Sequence, residues 1–237
     1  MQTFSGPVVQ AAAPIDANDV NPMHRPGEIV FTNDGRAFRY AEAGGTALDP
    51  GKCQSSEAED TGEQDLAVVA ASIGATTIVT STTISVAVNE YAWGYAVITV
   101  TPGLGKAYLL DNHLAYTTAA ATFNLFDPIE VALTTASRVD LVANIYMNLV
   151  ITPSSATGAV VGVSHTALTA NYYGWVQVNG PACVLADGSI AVGLDCTNSN
   201  ATDGAVEDAD TDTQVLIGQA ITGIATTEYG LVNVRLL

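Results

Sequence analysis

The feature that most constrains the fold is a succession of short apolar, β-branched runs from about residue 75 to residue 237. The first of these runs read TTIVTSTTISVAVN and YAVITVTPG, and the last read GWVQVNG and YGLVNVRLL. Valine, isoleucine and threonine favour strands, and apolar residues that alternate with polar ones are typical of half-buried strands. Turn signals such as Pro102-Gly103 and Asp187-Gly188 recur roughly every ten residues. The pattern predicts an all-β fold, a β-sandwich or barrel that is jelly-roll-like.

Two local structures are predicted before residue 75. Residues 28–32 and 36–41 flank the sequence Asn-Asp-Gly and predict a β-hairpin. Residues 61–74 fit one short helix, because Thr61 and Gln64 match a capping box and Gly74 suits a helix end. The sequence LAVVAAS within this segment is also compatible with a buried strand, so at most one short helix is expected.

The N-terminal residues 1–27 are predicted to form an extended arm, because four prolines interrupt any helix or strand there. A solvated tail needs no large apolar side chains, so those in the arm favour docking on a neighbouring subunit: Phe4, Val8, Val9 and Ile15. Residues 28–237 are expected to form one β-rich core domain with an acidic surface loop at about 195–213. No internal repeat is apparent.

The charge distribution argues against several classes of partner. The chain has 24 acidic and 7 basic residues, and the basic residues are scattered. Binding to nucleic acid or to an anionic membrane requires clustered Lys and Arg, so neither is expected. No apolar run approaches the ~18 residues of a membrane span, and the N-terminus lacks the features of a signal peptide. Synthesis in a cytoplasm is therefore expected. Charged residues make up only 13% of the chain, which suits close contact with other subunits.

The three cysteines are Cys53, Cys183 and Cys196, and none belongs to a CxxC or zinc-ligand pattern. Buried free thiols are the expectation. Because Cys183 and Cys196 flank one hairpin-like segment, a pairing between these two is the alternative.

One acidic string resembles the beginning of a calcium-binding loop. Asp208, Asp210 and Asp212 alternate as the first ligands of an EF-hand do. Thr213 stands where that loop needs glycine, and Gln219 stands where it needs a bidentate glutamate. We therefore expect a solvated acidic loop and no metal site.

No catalytic motif emerges from the histidines or the acids. His24, His113 and His165 lie outside any HExxH pattern, and Ser164 and His165 are neighbours that would point to opposite faces of a strand. A glycosidase would need paired carboxylates. The acids in or beside predicted strands are Glu90, Glu130 and Asp140. Nothing selects a pair among them, so no catalytic residue, no cofactor and no enzyme activity is expected.

Three segments resemble the head decoration, or cement, proteins of tailed bacteriophages: NEYAWGYAVITVTPGLGKAYLLDNH (89–113), YYGWVQVNGPACVLADGSIAVG (172–193) and VLIGQAITGIATTEYGLVNVRLL (215–237). The early segment NDGRAFRYAEAGGTALDPGK is similar to the first hairpin of that family. The resemblance implies a structural virion protein on the outer surface of the capsid, commonly a homotrimer. Such a protein binds the major capsid protein and stabilises contacts between its copies. The family has no catalytic residues to carry over.

Three other functions fit the same pattern. A fibre or receptor-binding protein of the same virion would also be β-rich and poor in catalytic groups. A jelly-roll carbohydrate-binding protein or enzyme would use a groove lined by Trp93 or Trp175. A secreted or surface-layer protein is the third alternative, and the missing signal peptide argues against it.

Overall fold

The structure is a computed structural model that describes residues 15–210 and 214–237. Within these residues the chain is almost entirely β, with one three-residue 3-10 turn at Thr61–Glu63. The prediction of an all-β fold is confirmed. The strands in chain order are β1 Ile29–Phe31, β2 Ala37–Glu42, β3 Cys53–Ser55, β4 Leu66–Ala67, β5 Thr77–Val86, β6 Tyr95–Val100, β7 Ala107–His113, β8 Tyr116–Leu125, β9 Arg138–Val142, β10 Val150–Ile151, β11 Val160–Ser164, β12 Tyr173–Leu185, β13 Asp195–Asn198, β14 Val206–Asp208, β15 Leu216–Ala220 and β16 Tyr229–Arg235.

The chain forms two compact units, where the sequence predicted a single core domain. Unit 1 comprises Met1–Ala58 together with Ile145–Leu237, and unit 2 is the intervening segment Glu59–Asn144. Each unit has a sheet and apolar clusters of its own.

Unit 1 is a half-barrel of antiparallel strands in the order β10-β3-β11-β12-β16-β15-β13-β14. The thirteen-residue strand β12 is its central element. The N-terminal half of β12 pairs with β2 and β11, and its C-terminal half pairs with β16. The Asn-Asp-Gly turn predicted a hairpin, and β1 and β2 form it. Strand β2 pairs with β12, so the hairpin continues the sheet from there. Residues 174–178 of β12 are all buried, whereas burial alternates from Gly180 to Val184, where one face of the strand is exposed.

Unit 1 contains an internal repeat that the sequence interpretation missed. Residues 162–178 read GVSHTALTANYYGWVQV, and residues 218–234 read GQAITGIATTEYGLVNV. The two segments make equivalent bonds: Gly51 N donates to Ser164 O, and Gly193 N donates to Ala220 O, both at 2.8 Å. Leu48 pairs with Leu168 as Ile190 pairs with Ile224. The sheet is therefore two copies of one motif that share β12.

Unit 2 is a six-stranded antiparallel sheet that nearly closes into a barrel, in the order β4-β9-β6-β7-β8-β5. Val68 and Thr80 form a bridge that brings β5 back towards β4, and Val69 N donates to Val79 O at 2.8 Å. The interior is filled by apolar side chains from all six strands, among them Leu66, Ile78, Ile98, Leu110, Phe123 and Leu141.

Two predictions of local structure are wrong. The expected helix at 61–74 is a 3-10 turn, which Asp60 caps by accepting from Gly62 N, followed by β4. Leu66 and Val68 are buried and Val69 is exposed, so the segment follows the period of a strand and matches the alternative interpretation. The expected loop at 195–213 contains β13 and β14, which pair with each other.

Candidate functional site

The described part of the predicted arm belongs to unit 1 and lies against its sheet. We call residues 15–27 the strap. Asp19 and Tyr173 exchange two backbone hydrogen bonds of 2.8 Å, which add a short piece of strand to the edge of β12. The Asn18 amide donates to Thr169 Oγ1 at 3.0 Å and accepts from Thr169 N at 3.1 Å. These bonds fix the strap to its own chain.

An aromatic cluster lies beneath the strap. Tyr40 and Trp175 are buried, and the ring of His24 lies 5.1 Å from each of them, centroid to centroid. Ile15 and Ala17 pack against this cluster. Of the predicted contact residues, Ile15 thus contacts its own chain, and Phe4, Val8 and Val9 lie outside the described residues. Burial leaves Trp175 no face for a sugar.

A groove of about 610 Å³ opens beside the strap, entirely within unit 1. Its walls come from the turn before β3, the end of β11, the middle of β12 and the start of β16. The residues that matter below are Pro50, Lys52, Ser164, His165, Cys183 and Tyr229. At its rim, Asp16 Oδ1 lies 3.6 Å from His165 Nε2, and Lys52 Nζ lies 2.9 Å from Asp49 Oδ2.

The groove holds nucleophilic groups but no pair that could activate one. Ser164 is buried and its Oγ has no hydrogen-bond partner, whereas His165 is exposed. The two side chains therefore form no nucleophile–base pair, as their adjacent positions on a strand predicted. Cys183 is a free thiol exposed on β12. What the groove offers is apolar wall and one unsatisfied hydroxyl, which suits binding more than catalysis.

His113 has a structural role in unit 2. Its Nε2 accepts from Tyr91 N at 3.0 Å, and its Nδ1 lies 2.9 Å from Leu114 O, which can only accept. The ring is therefore the neutral Nδ1–H tautomer. Burial lowers the pKa of His113 below its usual value.

The three candidate acids each have a local partner. Glu130 Oε2 lies 2.6 Å from Lys106 Nζ, and this hydrogen bond lowers the pKa of Glu130. Asp140 Oδ1 accepts from Asp65 N at 2.8 Å, and Glu90 Oε2 accepts from Ala87 N at 2.6 Å. These bonds hold turns and strand ends in place.

The sequence interpretation missed one acid, Glu63. This side chain is buried, and its Oε2 has no hydrogen-bond partner. Burial raises the pKa of Glu63, and the negative charges of Asp60 and Glu90 raise it further. Glu63 is buried because it lies in the 3-10 turn. No sequence motif could have identified it as a buried acid.

The residues of the acidic string do not meet as ligands in the described structure. Asp208 lies on β14 opposite Cys196, and Asp212 falls outside the described residues. Across residues 15–210 and 214–237, no group of three or more His, Cys, Asp or Glu side chains is arranged to hold a metal ion.

All three cysteines are free, as predicted, and the alternative of a Cys183–Cys196 disulfide is excluded. Cys53 and Cys196 are buried in one apolar cluster. Burial raises the pKa of the Cys53 thiol to about 12 and that of the Cys196 thiol to about 11. Cys183 is exposed, in contrast to the expectation that the thiols are buried.

The two copies of the repeat in unit 1 differ at exposed positions. Val192, Leu194 and Ile221 are 67%, 39% and 41% exposed, and we call them the apolar patch. They are neighbours, because Gly193 N donates to Ala220 O and Ala220 N donates to Leu194 O. The first copy carries different side chains at the equivalent positions, namely Pro50, Lys52 and His165. One scaffold thus presents Lys52 and His165 beside Pro50 in one copy and three apolar side chains in the other.

Comparison with known proteins shows no family model, no curated protein and no solved structure that matches the chain. In the described residues, no helix has the length and apolar character needed to cross a membrane.

Proposed function

We propose that this chain is a structural protein of a bacteriophage virion, a capsid decoration or cement protein. It would bind the outer surface of the head as a homotrimer and stabilise contacts between copies of the major capsid protein. The observation that carries the proposal is the apolar patch. Exposed, contiguous apolar side chains mark interaction surfaces in soluble proteins.

The composition of the surface supports binding through a large contact area with few charged groups. The chain carries a net charge of −17, yet charged residues are only 13% of it, and the patch itself has none. The centres of protein interfaces are depleted in charged residues in the same way. Specific interfaces bury ~1,200–2,000 Å², and a trimer that binds several capsid subunits gains avidity without stronger single contacts.

The described side chains support a non-catalytic role. Ser164 and His165 do not pair, and His113 is held neutral in a core. The acids Glu90, Glu130 and Asp140 each contact a backbone amide or a lysine instead of one another. We infer that the protein acts by shape and adhesion, and that it is not an enzyme.

The test is co-sedimentation with purified phage heads that lack their decoration protein, together with the mass in solution by light scattering. We expect a trimer that pellets with heads and stays bound at high salt, because salt screens charge contacts and not apolar ones. Val192→Asp should weaken binding by more than about ten-fold, since it places a charge in a desolvated contact.

The matched control is Val88→Asp, which adds the same charge at an exposed position of unit 2 (61% exposed). Equal binding by the two variants would refute the role of the patch. A wild-type protein that ignores heads, but binds glycans or host cells, would favour the fibre or carbohydrate-binding alternatives.

A further inference from the structure

The strap enters the described structure at the rim of the groove. Asp16 contacts His165, which lines the groove, and Ile15 packs on the neighbouring aromatic cluster. The fourteen residues before Ile15 are therefore tethered next to an open groove in the same unit.

The groove has the properties of a peptide-binding site. Pro50, Val163 and Tyr229 give it apolar walls. Ser164 Oγ is buried without a partner, which costs free energy until a donor or acceptor reaches it. A peptide backbone supplies N–H and C=O groups beside apolar side chains, so one ligand would satisfy both features.

The N-terminal segment has matching chemistry. Residues 1–14 read MQTFSGPVVQAAAP and contain no Asp, Glu, Lys or Arg, although the whole chain has a net charge of −17. Val8 and Val9 are separated from Ile15 by five residues, of which three are alanines and one is a proline. Such a connector spans at most about 18 Å when extended. A short tether also gives the segment an effective concentration of order mM at the groove.

We propose that the groove binds residues 1–14 of the same chain, with Val8 and Val9 against its apolar walls. For the isolated chain, this assigns those side chains to the chain's own groove instead of the neighbouring subunit that the sequence predicted. The inference does not depend on the proposed virion function, and the experiment below needs no capsid.

Cys183 provides a built-in probe, because it lines the groove and is exposed, whereas Cys53 and Cys196 are buried. The experiment measures the rate at which a maleimide modifies Cys183 in the full chain, with the modified residue identified by mass spectrometry. The same rate is measured in the variant Val8→Asp with Val9→Asp. A docked segment should slow modification by at least about ten-fold, since only the undocked fraction reacts.

The control is Ile73→Asp with Val88→Asp, which adds two charges at exposed positions of unit 2. This variant should react as slowly as the wild-type chain. A synthetic peptide of residues 1–14, added in excess to the Val8→Asp, Val9→Asp variant, should restore protection. Equal rates for the wild-type chain and that variant would overturn the proposal.

The concentration dependence decides which copy supplies the segment. Protection by a tethered segment is constant over about a hundred-fold range of protein concentration. Protection that increases with concentration would mean that a second copy supplies the segment, and it would overturn the assignment to the same chain.

Discussion

Leu168 occupies the space that a side chain at Gly174 would need: a Cβ atom on Gly174 would lie 2.2 Å from Leu168 Cδ2. The second copy of the repeat in unit 1 has the same relationship, since a Cβ atom on Gly230 would lie 2.3 Å from Ile224 Cγ1. In both copies, a large apolar residue folds back onto a glycine six positions later. The motif therefore depends on the absence of a side chain at these two glycines.

We predict that Gly174→Ala and Gly230→Ala each destabilise unit 1 by about 1–3 kcal/mol, the usual cost of forcing extra volume into a packed core. Ala17 O lies 2.6 Å from the same Cβ position at Gly174, so Gly174→Ala should also loosen the strap. Urea unfolding measures the first effect, and amide exchange at Asp19 measures the second.

Gly45→Ala and Gly223→Ala are the matched controls, because a Cβ there meets nothing closer than 3.9 Å. Both should change stability by no more than about 0.5 kcal/mol. If Gly174→Ala were as mild as Gly45→Ala, the packing of Leu168 would not define the motif.

The repeat also shows which parts of the fold the sequence could predict. The strands could be predicted from their β-branched residues and from the alternation of apolar and polar residues. The first hairpin could be predicted from its turn residues. The repeat itself was visible as a tyrosine and a glycine followed by valines in alternation, at 173–178 and 229–234. The helix prediction failed because a short run such as LAVVAAS fits both periods, and only contacts with strands distant in sequence decide between them.

The groove could not have been predicted. It brings together residues near positions 50, 164, 183 and 229, which lie far apart in the chain. Likewise, Cys196 and Val206 are buried in an otherwise polar segment because β13 pairs with β14 and β15. Local composition marks that segment as a loop, and long-range pairing overrides it.

The neutral state of His113 predicts acid sensitivity in unit 2. Its pKa is lowered in the folded state, so the unfolded chain binds a proton first as the pH falls. Its contribution to stability is complete above the unfolded value of about 6.5 and is lost as the pH falls from there through the folded pKa. His113→Gln, which keeps an acceptor for Tyr91 N, should show a smaller loss of stability between about pH 7.5 and pH 5.

Unfolding midpoints across this pH range test the expectation, and NMR titration of the His113 ring checks its pKa directly. If the unfolding midpoint changed with pH to the same extent in the wild-type protein and the variant, His113 would not contribute to the acid sensitivity.

Glu63 predicts the opposite trend. Its pKa is raised by burial, so its ionised form is disfavoured in the folded state. Stability falls as the pH rises from the unfolded value through the folded pKa, and the full penalty is present above it. Glu63→Gln removes the disfavoured negative charge and should therefore stabilise unit 2 at neutral pH by roughly 1 kcal/mol, the typical size of a single-substitution effect, and by less near pH 4, where the carboxyl group is largely protonated.

Glu59→Gln is the control for Glu63→Gln, because it removes a carboxylate from an exposed position four residues away. It isolates the effect of net charge. A gain from Glu59→Gln equal to that from Glu63→Gln would assign the effect to overall charge and not to burial.

The three free cysteines should react in a fixed order. A thiol attacks as its thiolate, and burial raises the pKa of Cys53 to about 12 and that of Cys196 to about 11. Both lie in the apolar cluster of unit 1 where no reagent reaches them, so they should react only when that unit unfolds. Cys183 should react first in the folded protein, at a rate set by access to the groove.

Mass spectrometry after exposure to increasing urea concentrations should show one modified cysteine and then three, with modified Cys53 and Cys196 appearing together at the unfolding midpoint. Modification of either buried thiol at zero urea would show that the half-barrel opens locally around β3 and β13.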